Sequence, residues 1–199
     1  MTVGIYYATT TGKTEDVADR LHNFISSAEA PIDVSDVDDL SALESLEGII
    51  CGIPTWNTGA DEERSGTAWD SILEDIGELS LSVKKVAIFG LGDSSTYTEN
   101  YCDAMEELHS YFTKAGADMV GYVDKSSYTF DESKSVMGES FCGLPLDEDS
   151  ESDLTDSRLE TWASQLKGEI PSLASAFSDI TSLVCNICSF TICFFYISN

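Results

Sequence analysis

The sequence predicts an α/β protein with a doubly wound parallel sheet and helices on both faces. Short apolar or β-branched runs alternate with amphipathic stretches of helical period along the chain. The connections between them are short, and parallel strands need right-handed crossovers that place helices against the sheet. These observations favour a single domain that covers residues 1–170.

The strands are predicted where apolar or β-branched residues run together. In chain order these runs are residues 3–8, 32–34, 48–53, 85–91 and 118–123. Helices are predicted where apolar residues recur three and four positions apart, as Val17, Leu21 and Phe24 do in the first of them. In chain order these stretches are residues 14–26, 68–76, 101–114 and 154–166.

One stretch interrupts this alternation within the domain. Residues 124–146 form a polar and aromatic excursion that is too long for a plain connection. Residues 140–144 within it again resemble a strand. We therefore predict a long insertion that splits the fifth strand.

Composition excludes several classes of protein. The chain has 10 Lys and Arg against 36 Asp and Glu, a net charge of −26, which excludes nucleic-acid binding through phosphate neutralisation and disfavours anionic membranes. Its hydrophobic fraction of 42% is typical of a packed domain, so the acidic residues are expected on the surface of a folded protein and do not indicate disorder. Six irregularly spaced cysteines and no leader before the first strand predict reduced thiols in an intracellular compartment.

A hydroxyl-rich loop links the first strand to the first helix. It consists of Thr9, Thr10, Thr11, Gly12, Lys13 and Thr14. Free backbone amides at a helix N-terminus form an anion site, so this loop predicts phosphate binding, whereas helix capping alone would need a single threonine. A nucleoside triphosphatase loop is disfavoured because Tyr7 stands where that motif needs glycine. A dinucleotide-binding fingerprint is also excluded, because it needs three glycines and this loop has only Gly12.

Two further loops follow the third and fourth strands. The first reads Pro54, Thr55, Trp56, Asn57, Thr58 and Gly59, and the second extends from Gly90 to Tyr101. Because the carboxyl ends of neighbouring parallel strands share one edge of a sheet, Trp56 and Tyr97 should meet the threonine loop in one cleft. A phosphate site beside two aromatic side chains suits a planar heterocycle that carries one phosphate.

These motifs together resemble the long-chain flavodoxins over residues 2–170. The resemblance also includes Gly92-Asp93 with Tyr97 and Asn100, and the acidic segments 143–149 and 152–156. It implies a flavodoxin-like, five-stranded parallel sheet of order 2-1-3-4-5 with helices on both faces, and it matches the predicted insertion in the fifth strand. It also implies a non-covalently bound flavin mononucleotide (FMN).

The resemblance assigns roles to particular residues. Residues 9–14 would hold the phosphate, Trp56 and Tyr97 would cover the two faces of the flavin ring, and the backbone of residues 57–59 would lie near the flavin N5. The remaining residues predicted to bind FMN are Pro54, Thr55, Leu91, Gly92, Asp93, Asn100, Cys102 and Asp147. Asp147 is preferred over its acidic neighbours as a contact of the ribityl chain.

The implied function is low-potential, one-electron transfer by FMN, with the protein binding and tuning the flavin. His22 and His109 fall in helices away from the expected cleft, so we predict no catalytic constellation and no metal site. An FMN-dependent NAD(P)H quinone or flavin reductase of the same fold is the alternative. A regulatory module that has lost its flavin is disfavoured by the intact aromatic residues.

Acidic residues near the site predict basic partners. Six lie between Asp147 and Asp156, and as a set they should steer a basic protein towards the exposed flavin edge. The family implies ferredoxin-NADP reductase and photosystem I as partners of a ferredoxin substitute. We expect a monomer, in the cytoplasm of a bacterium or the plastid stroma of an alga.

Residues 171–199 form an atypical, uncharged and apolar tail. From residue 174 onward the only charged residue is Asp179. Residues 180–197 as a helix would span about 27 Å, which is marginal for a bilayer, so a membrane contact depends on this tail acting as an anchor. Cys185 and Cys188 have zinc-like spacing but lack a second ligand pair. A non-coding extension or an aggregation-prone terminus is the preferred interpretation.

Overall fold

The computed structural model describes residues 2–174, and its central feature is a parallel sheet of order β2-β1-β3-β4-β5. The strands of the chain are β1 (Val3–Tyr7), β2 (Ile32–Asp33), β3 (Gly48–Pro54), β4 (Lys85–Leu91), β5 (Asp118–Val120), β6 (Val123–Asp124), β7 (Val136–Met137), β8 (Ser140–Phe141) and β9 (Leu144–Leu146). The predicted strand order is confirmed. β3 and β4 are almost entirely buried, as expected for strands covered on both faces.

Helices cover both faces of this sheet, as predicted. They are α1 (Lys13–Phe24), α2 (Leu73–Gly77), α3 (Ala104–Lys114), α4 (Thr155–Glu169) and α5 (Pro171–Ala174). Leu21 of α1 and Trp162 of α4 belong to one core cluster, whereas Ile76 of α2 and Leu108 of α3 belong to the other. The amphipathic stripes read from the sequence therefore divide into two layers.

Several predicted elements are shorter in the structure, and the predicted helix 68–76 is a 3-10 turn, Ala68–Ser71, followed by α2. Three others are shorter for a local reason. The second strand ends at Asp33, whose carboxylate accepts a hydrogen bond from Ser35 N at 2.9 Å and starts a 3-10 turn. The fifth strand ends at Val120 because Gly121 turns the chain with φ of +78°. The third predicted helix, α3, begins at Ala104 rather than at residue 101, because Cys102 adopts φ of +55° just before it.

The predicted insertion splits the fifth strand into two segments that share β4 as their neighbour. β5 pairs with residues 85–87 of β4, and β9 pairs with residues 89–91. Between them, β6, β8 and β7 form a small antiparallel sheet. The main sheet resumes at Leu144 rather than at residue 140, because Ser140 and Phe141 pair within the insertion and Cys142 N donates to Ser135 O at 2.8 Å.

Aromatic packing attaches the insertion to the rest of the domain. The fully buried ring of Phe141 lies 5.0 Å from Phe130, 5.3 Å from Tyr128 and 6.1 Å from Tyr101, measured between centroids. Such pairs stabilise beyond the apolar area that they bury. The insertion is therefore part of the core and not an appendage.

The predicted tail lies mostly outside the described residues, which end at Ala174. The membrane and cysteine interpretations of residues 175–199 fall in that part of the chain. Within residues 2–174, no helix combines the length and the apolar character needed to cross a bilayer.

Candidate functional site

A cavity of about 270 Å³ opens at the carboxyl ends of β1, β3 and β4. Ten of the residues predicted to form the site line it: Thr11, Lys13, Thr14, Pro54, Thr55, Trp56, Leu91, Gly92, Asp93 and Tyr97. Three loops that are far apart in the sequence therefore converge at one edge of the sheet. This is the position at which open α/β sheets bind their ligands.

The threonine loop presents free amides to this cavity. Gly12 has φ of +84°, and its N–H donates to Thr9 Oγ1 at 2.9 Å, which closes the turn before α1. No side chain caps α1, and within the described residues the N–H groups of Lys13 and Thr14 have no acceptor. Thr9, Thr10 and Gly12 shape the turn without lining the cavity. The helix end is thus an open site for an anion.

Trp56 and Tyr97 provide aromatic surface on this cavity. Their exposed fractions are 50% and 49%, which is high for side chains of this size. Neither ring contacts another aromatic ring within residues 2–174. Both indole and phenol faces are consequently available to a flat ligand.

The turn after β4 is organised by Asp93. Its carboxylate accepts hydrogen bonds from Ser95 N at 3.0 Å, Ser95 Oγ at 2.8 Å and Thr96 N at 2.8 Å. Partial burial raises the pKa of Asp93, but the hydrogen bonds from Thr96 and Ser95 outweigh it and lower the pKa to about 2. The turn holds Tyr97 in place, since Tyr97 N donates to Asp93 O at 3.0 Å.

Asn100 and Cys102 lie behind the cavity wall and do not line it. Asn100 N donates to Tyr97 O at 3.0 Å, so this residue closes the turn that carries the aromatic ring. Cys102 is fully buried, and its thiol approaches Gly90 O at 3.5 Å. Burial raises the pKa of this thiol well above its usual value, so it stays protonated.

Asp147 is fully buried beneath the site. Its carboxylate accepts from Ser94 N and Ser94 Oγ at 2.8 Å, from Asp149 N at 2.8 Å and from Ser150 N at 2.7 Å. In this structure Asp147 joins the loops that follow β4 and β9. The cavity is instead lined by its two neighbours, Glu148 and Asp149.

Sequence reasoning did not single out Glu148 and Asp149. Asp149 lies 2.5 Å from Lys13 Nζ, and Glu148 lies 3.2 Å from Arg20 Nη1. Lys13 and Arg20 are seven residues apart, so they lie on the same face of α1. Two basic residues facing one acidic run were the signal that would have identified this contact.

Asn57, Thr58 and Gly59 form the turn after Trp56 and do not line the cavity. Asn57 O accepts from Ala60 N at 3.1 Å, and Gly59 has φ of +78°. Asn57 itself is held from the far side of its loop, because its N–H donates to Arg64 O at 3.1 Å and its Nδ2 donates to Glu63 O at 2.6 Å. The turn is therefore supported by residues that follow it.

Comparison with known proteins agrees with this arrangement. A family model described as flavodoxin matches residues 5–162. The chain belongs to the flavodoxin family. The flavodoxin of Synechococcus elongatus is 38% identical over 169 residues, which cover 84% of this chain and 96% of that protein. A flavodoxin of Nostoc is 36% identical over 168 residues, 84% of this chain and 96% of its own length.

The split fifth strand makes this chain a long-chain flavodoxin. Among solved structures, the Fusobacterium nucleatum flavodoxin bound to flavin mononucleotide is similar, with a TM-score of 0.77 and 28% identity. The match covers 85% of this chain and 98% of that one. The predicted fold and family are thus confirmed.

Proposed function

We propose that this chain is a one-electron carrier that binds FMN non-covalently in the cavity at the carboxyl end of the sheet. One observation carries the proposal: the uncapped end of α1 and the two free aromatic faces of Trp56 and Tyr97 line the same cavity. An anion site beside flat aromatic surfaces matches a phosphorylated ring system. The relatives are named flavodoxins, which are electron-transfer proteins and not enzymes.

The residues present suit this cofactor. The N–H groups of Lys13 and Thr14 lack acceptors within the described residues, and phosphate oxygens would supply them. Lys13 adds a positive charge at the same place. Trp56 and Tyr97 would each cover one face of the ring, since both rings are half exposed and unstacked.

The other predicted residues support the site from behind it. Thr9, Thr10 and Gly12 shape the phosphate loop, and Asn57, Thr58 and Gly59 would present backbone groups to the ring edge. Asn100, Cys102 and Asp147 hold the loops that carry the lining residues. We assign the FMN-binding domain to residues 1–170, and the role of residues 171–199 stays a prediction.

FMN, when bound, would supply the electron-accepting chemistry, and the chain would tune it. Glu148, Asp149 and Asp93 place carboxylates on the cavity wall. Among the described residues that line this wall, Lys13 is the only cationic one, and it is paired with Asp149. Adding an electron in a negative field is unfavourable, so these residues would keep the reduction potential low.

We further propose that the partners are basic redox proteins. Ferredoxin-NADP reductase and photosystem I are the partners that a ferredoxin substitute would use, in a bacterial cytoplasm or a plastid stroma. The net charge of −26 supports steering of such partners, because attraction between opposite fields raises encounter rates. The association rate should fall steeply as salt is added, which stopped-flow kinetics with either partner would measure.

The decisive experiment is a titration of the apoprotein with FMN, followed by calorimetry and by the absorbance of the flavin. Trp56→Ala and Tyr97→Ala should each weaken binding by about two- to tenfold, because an aromatic contact contributes about 0.5–1.5 kcal/mol. Tyr122→Ala is the matched control, since Tyr122 is 37% exposed but lies outside the cavity. A chain that binds no FMN would contradict the proposal.

The reductase alternative makes a different prediction. The loaded protein should then oxidise NADPH steadily without an added reductase and reduce a quinone. A carrier should be reduced only when a reductase or a photochemical donor supplies electrons. Steady NADPH oxidation by the purified chain would therefore replace the carrier assignment with the enzyme.

A further inference from the structure

Four consecutive backbone amides, those of residues 63–66, donate to two carboxylates. Glu107 on α3 accepts from Glu63 N at 2.7 Å and from Arg64 N at 2.8 Å. Asp70 accepts from Ser65 N at 3.2 Å and from Gly66 N at 2.8 Å. Each carboxylate uses its two oxygens on two successive amides. Hydrogen bonds to a charged acceptor are the stronger class, so this segment is firmly held.

The Glu107 half of this arrangement is buried and contains a cation. Glu107 is 6% exposed and Arg64 is 5% exposed. The Arg64 guanidinium lies 3.4 Å from Glu107, donates to Asp103 O at 2.9 Å and lies 2.5 Å from Glu106 Oε2. A buried carboxylate is tolerated when amides and a cation surround it. Removal of Arg64 would leave the buried Glu107 without a cation, whereas removal of Glu107 would leave Arg64 paired with Glu106.

The same segment holds the turn that follows Trp56. Asn57 N donates to Arg64 O at 3.1 Å, and Asn57 Nδ2 donates to Glu63 O at 2.6 Å. Gly66 has φ of +63°, and a Cβ at that residue would lie 2.9 Å from Trp56 Cβ. The carbonyls and amides of residues 63–66 therefore connect Glu107 and Asp70 directly to the loop at the cavity.

Backbone strain indicates what would happen without Glu107. Glu63 adopts φ of +55°, a left-handed conformation that is unfavourable for a residue with a side chain. The hydrogen bond from Glu63 N to Glu107 holds that conformation in place. Loss of this bond would let Glu63 relax and carry its carbonyl away from Asn57.

We propose that Glu107 is a positioning residue that sets the FMN affinity and the first one-electron potential by fixing the loop of residues 57–66. This inference rests on the proposed function, because the loop lies beside the proposed flavin site. Glu107 itself does not line the cavity. It acts through the backbone of residues 63 and 64 and then through Asn57.

Glu107→Gln tests the proposal, with Glu106→Gln as its matched control. Both changes remove one negative charge from neighbouring positions of α3 beside Arg64, but of these two side chains only Glu107 accepts hydrogen bonds from loop amides. In the apoprotein, hydrogen exchange of the amides of residues 63 and 64 should accelerate about tenfold in Glu107→Gln, and much less in Glu106→Gln.

The loaded protein supplies the second measurement. Glu107→Gln should weaken FMN binding several-fold, because the loop would no longer hold its backbone at the ring edge. For the same reason it should shift the first one-electron potential to a more negative value, opposite to the effect of removing a negative charge. Glu106→Gln should leave both close to those of the unmodified chain. Asp70→Asn, which releases the amides of residues 65 and 66, should shift the potential in the same direction. This second variant keeps the test valid if Glu107→Gln does not fold.

The outcomes separate this inference from the proposed function. Failure of the unmodified chain to bind FMN would contradict the function itself, and with it this role of Glu107. Faster exchange with unchanged affinity and potential would show that Glu107 is only structural and would overturn the inference. Equal shifts in Glu107→Gln and Glu106→Gln would show that the effect does not depend on the hydrogen bonds from the loop amides, and would also overturn the inference.

Discussion

Lys13 and Asp149 lie opposite each other on the cavity wall, with 2.5 Å between Lys13 Nζ and Asp149 Oδ1. Both side chains are about half exposed, so water screens the pair and its net contribution to stability is small. The pair matters more for binding than for folding. An incoming phosphate would compete with Asp149 for the same ammonium group, and Asp149 would repel it.

Asp149→Asn should therefore strengthen FMN binding by up to about fivefold, because exposed ion pairs contribute about 0.2–1 kcal/mol. Calorimetric titration of the apoprotein at low ionic strength measures the change. Asp153→Asn is the control. Asp153 is an exposed residue of the same loop, and its side chain makes no ion pair within the described residues. An equal gain in that control would assign the effect to net charge.

Asp93 gives the chain a defined sensitivity to acid. Its folded-state pKa of about 2 lies below the value of about 3.9 for an unfolded aspartate. The carboxylate therefore contributes stability above about pH 4, and the contribution disappears as the pH falls through about 2. The difference in unfolding free energy between the unmodified chain and Asp93→Asn should shrink over that interval.

Urea unfolding at a series of pH values from 6 downward measures this difference, as it does for other small domains. Glu99→Gln is the control. Glu99 is an exposed residue of the same loop, and its side chain makes no hydrogen bond within the described residues. A difference for Asp93→Asn that stays constant with pH would contradict the assignment.

β9 is held very close to β4. An added Cβ at Gly143 would lie 2.1 Å from Ile88 O, and that atom belongs to the backbone and cannot turn aside. β9 also leads directly into Asp147 and the acidic residues of the cavity. The close approach at Gly143 therefore positions part of the site as well as the sheet.

Gly143→Ala should lower the unfolding free energy by about 1–3 kcal/mol, the usual cost of overpacking, and should weaken FMN binding. Gly168→Ala is the matched control, because no atom lies within 4 Å of an added Cβ in α4. That change should stabilise the chain by about 0.5–1 kcal/mol through helix propensity. Chemical unfolding of both variants measures the contrast, and destabilisation by both would contradict it.

Periodicity in the sequence predicted the elements of this fold because strands and helices repeat over short distances. It also predicted the convergence of Thr11, Trp56 and Tyr97, since the carboxyl ends of parallel strands share an edge. It could not predict that Asp147 is buried, because Ser94 reaches it from 53 residues away. The contact between Glu107 and Arg64 N, 43 residues apart, likewise has no local signal.

The molecule as a whole is dominated by negative charge. Eight of its ten basic residues pair with carboxylates, and Lys84 and Lys167 are the two that have no such partner within the described residues. Little positive charge is left to offset the 36 acidic residues. Self-repulsion of this kind destabilises the compact state and keeps the chain in solution.

Added salt should consequently stabilise the protein. Raising the ionic strength from about 0.01 M to about 0.15 M shortens the screening length from about 30 Å to about 8 Å, which weakens repulsion across the domain. The midpoint of thermal unfolding should rise over this range with sodium chloride and with choline chloride alike. A fall in the midpoint would mean that the ion pairs outweigh the repulsion, and a rise with sodium alone would indicate specific cation binding.

The three tryptophans differ sharply in their surroundings. Trp69 and Trp162 are each 1% exposed and donate to Gly52 O and Gly121 O, whereas Trp56 is 50% exposed. A dissolved quencher such as acrylamide therefore reaches one indole and leaves two protected. The chain carries its own optical reporter at the mouth of the cavity, and its emission would register whatever enters there without any attached dye.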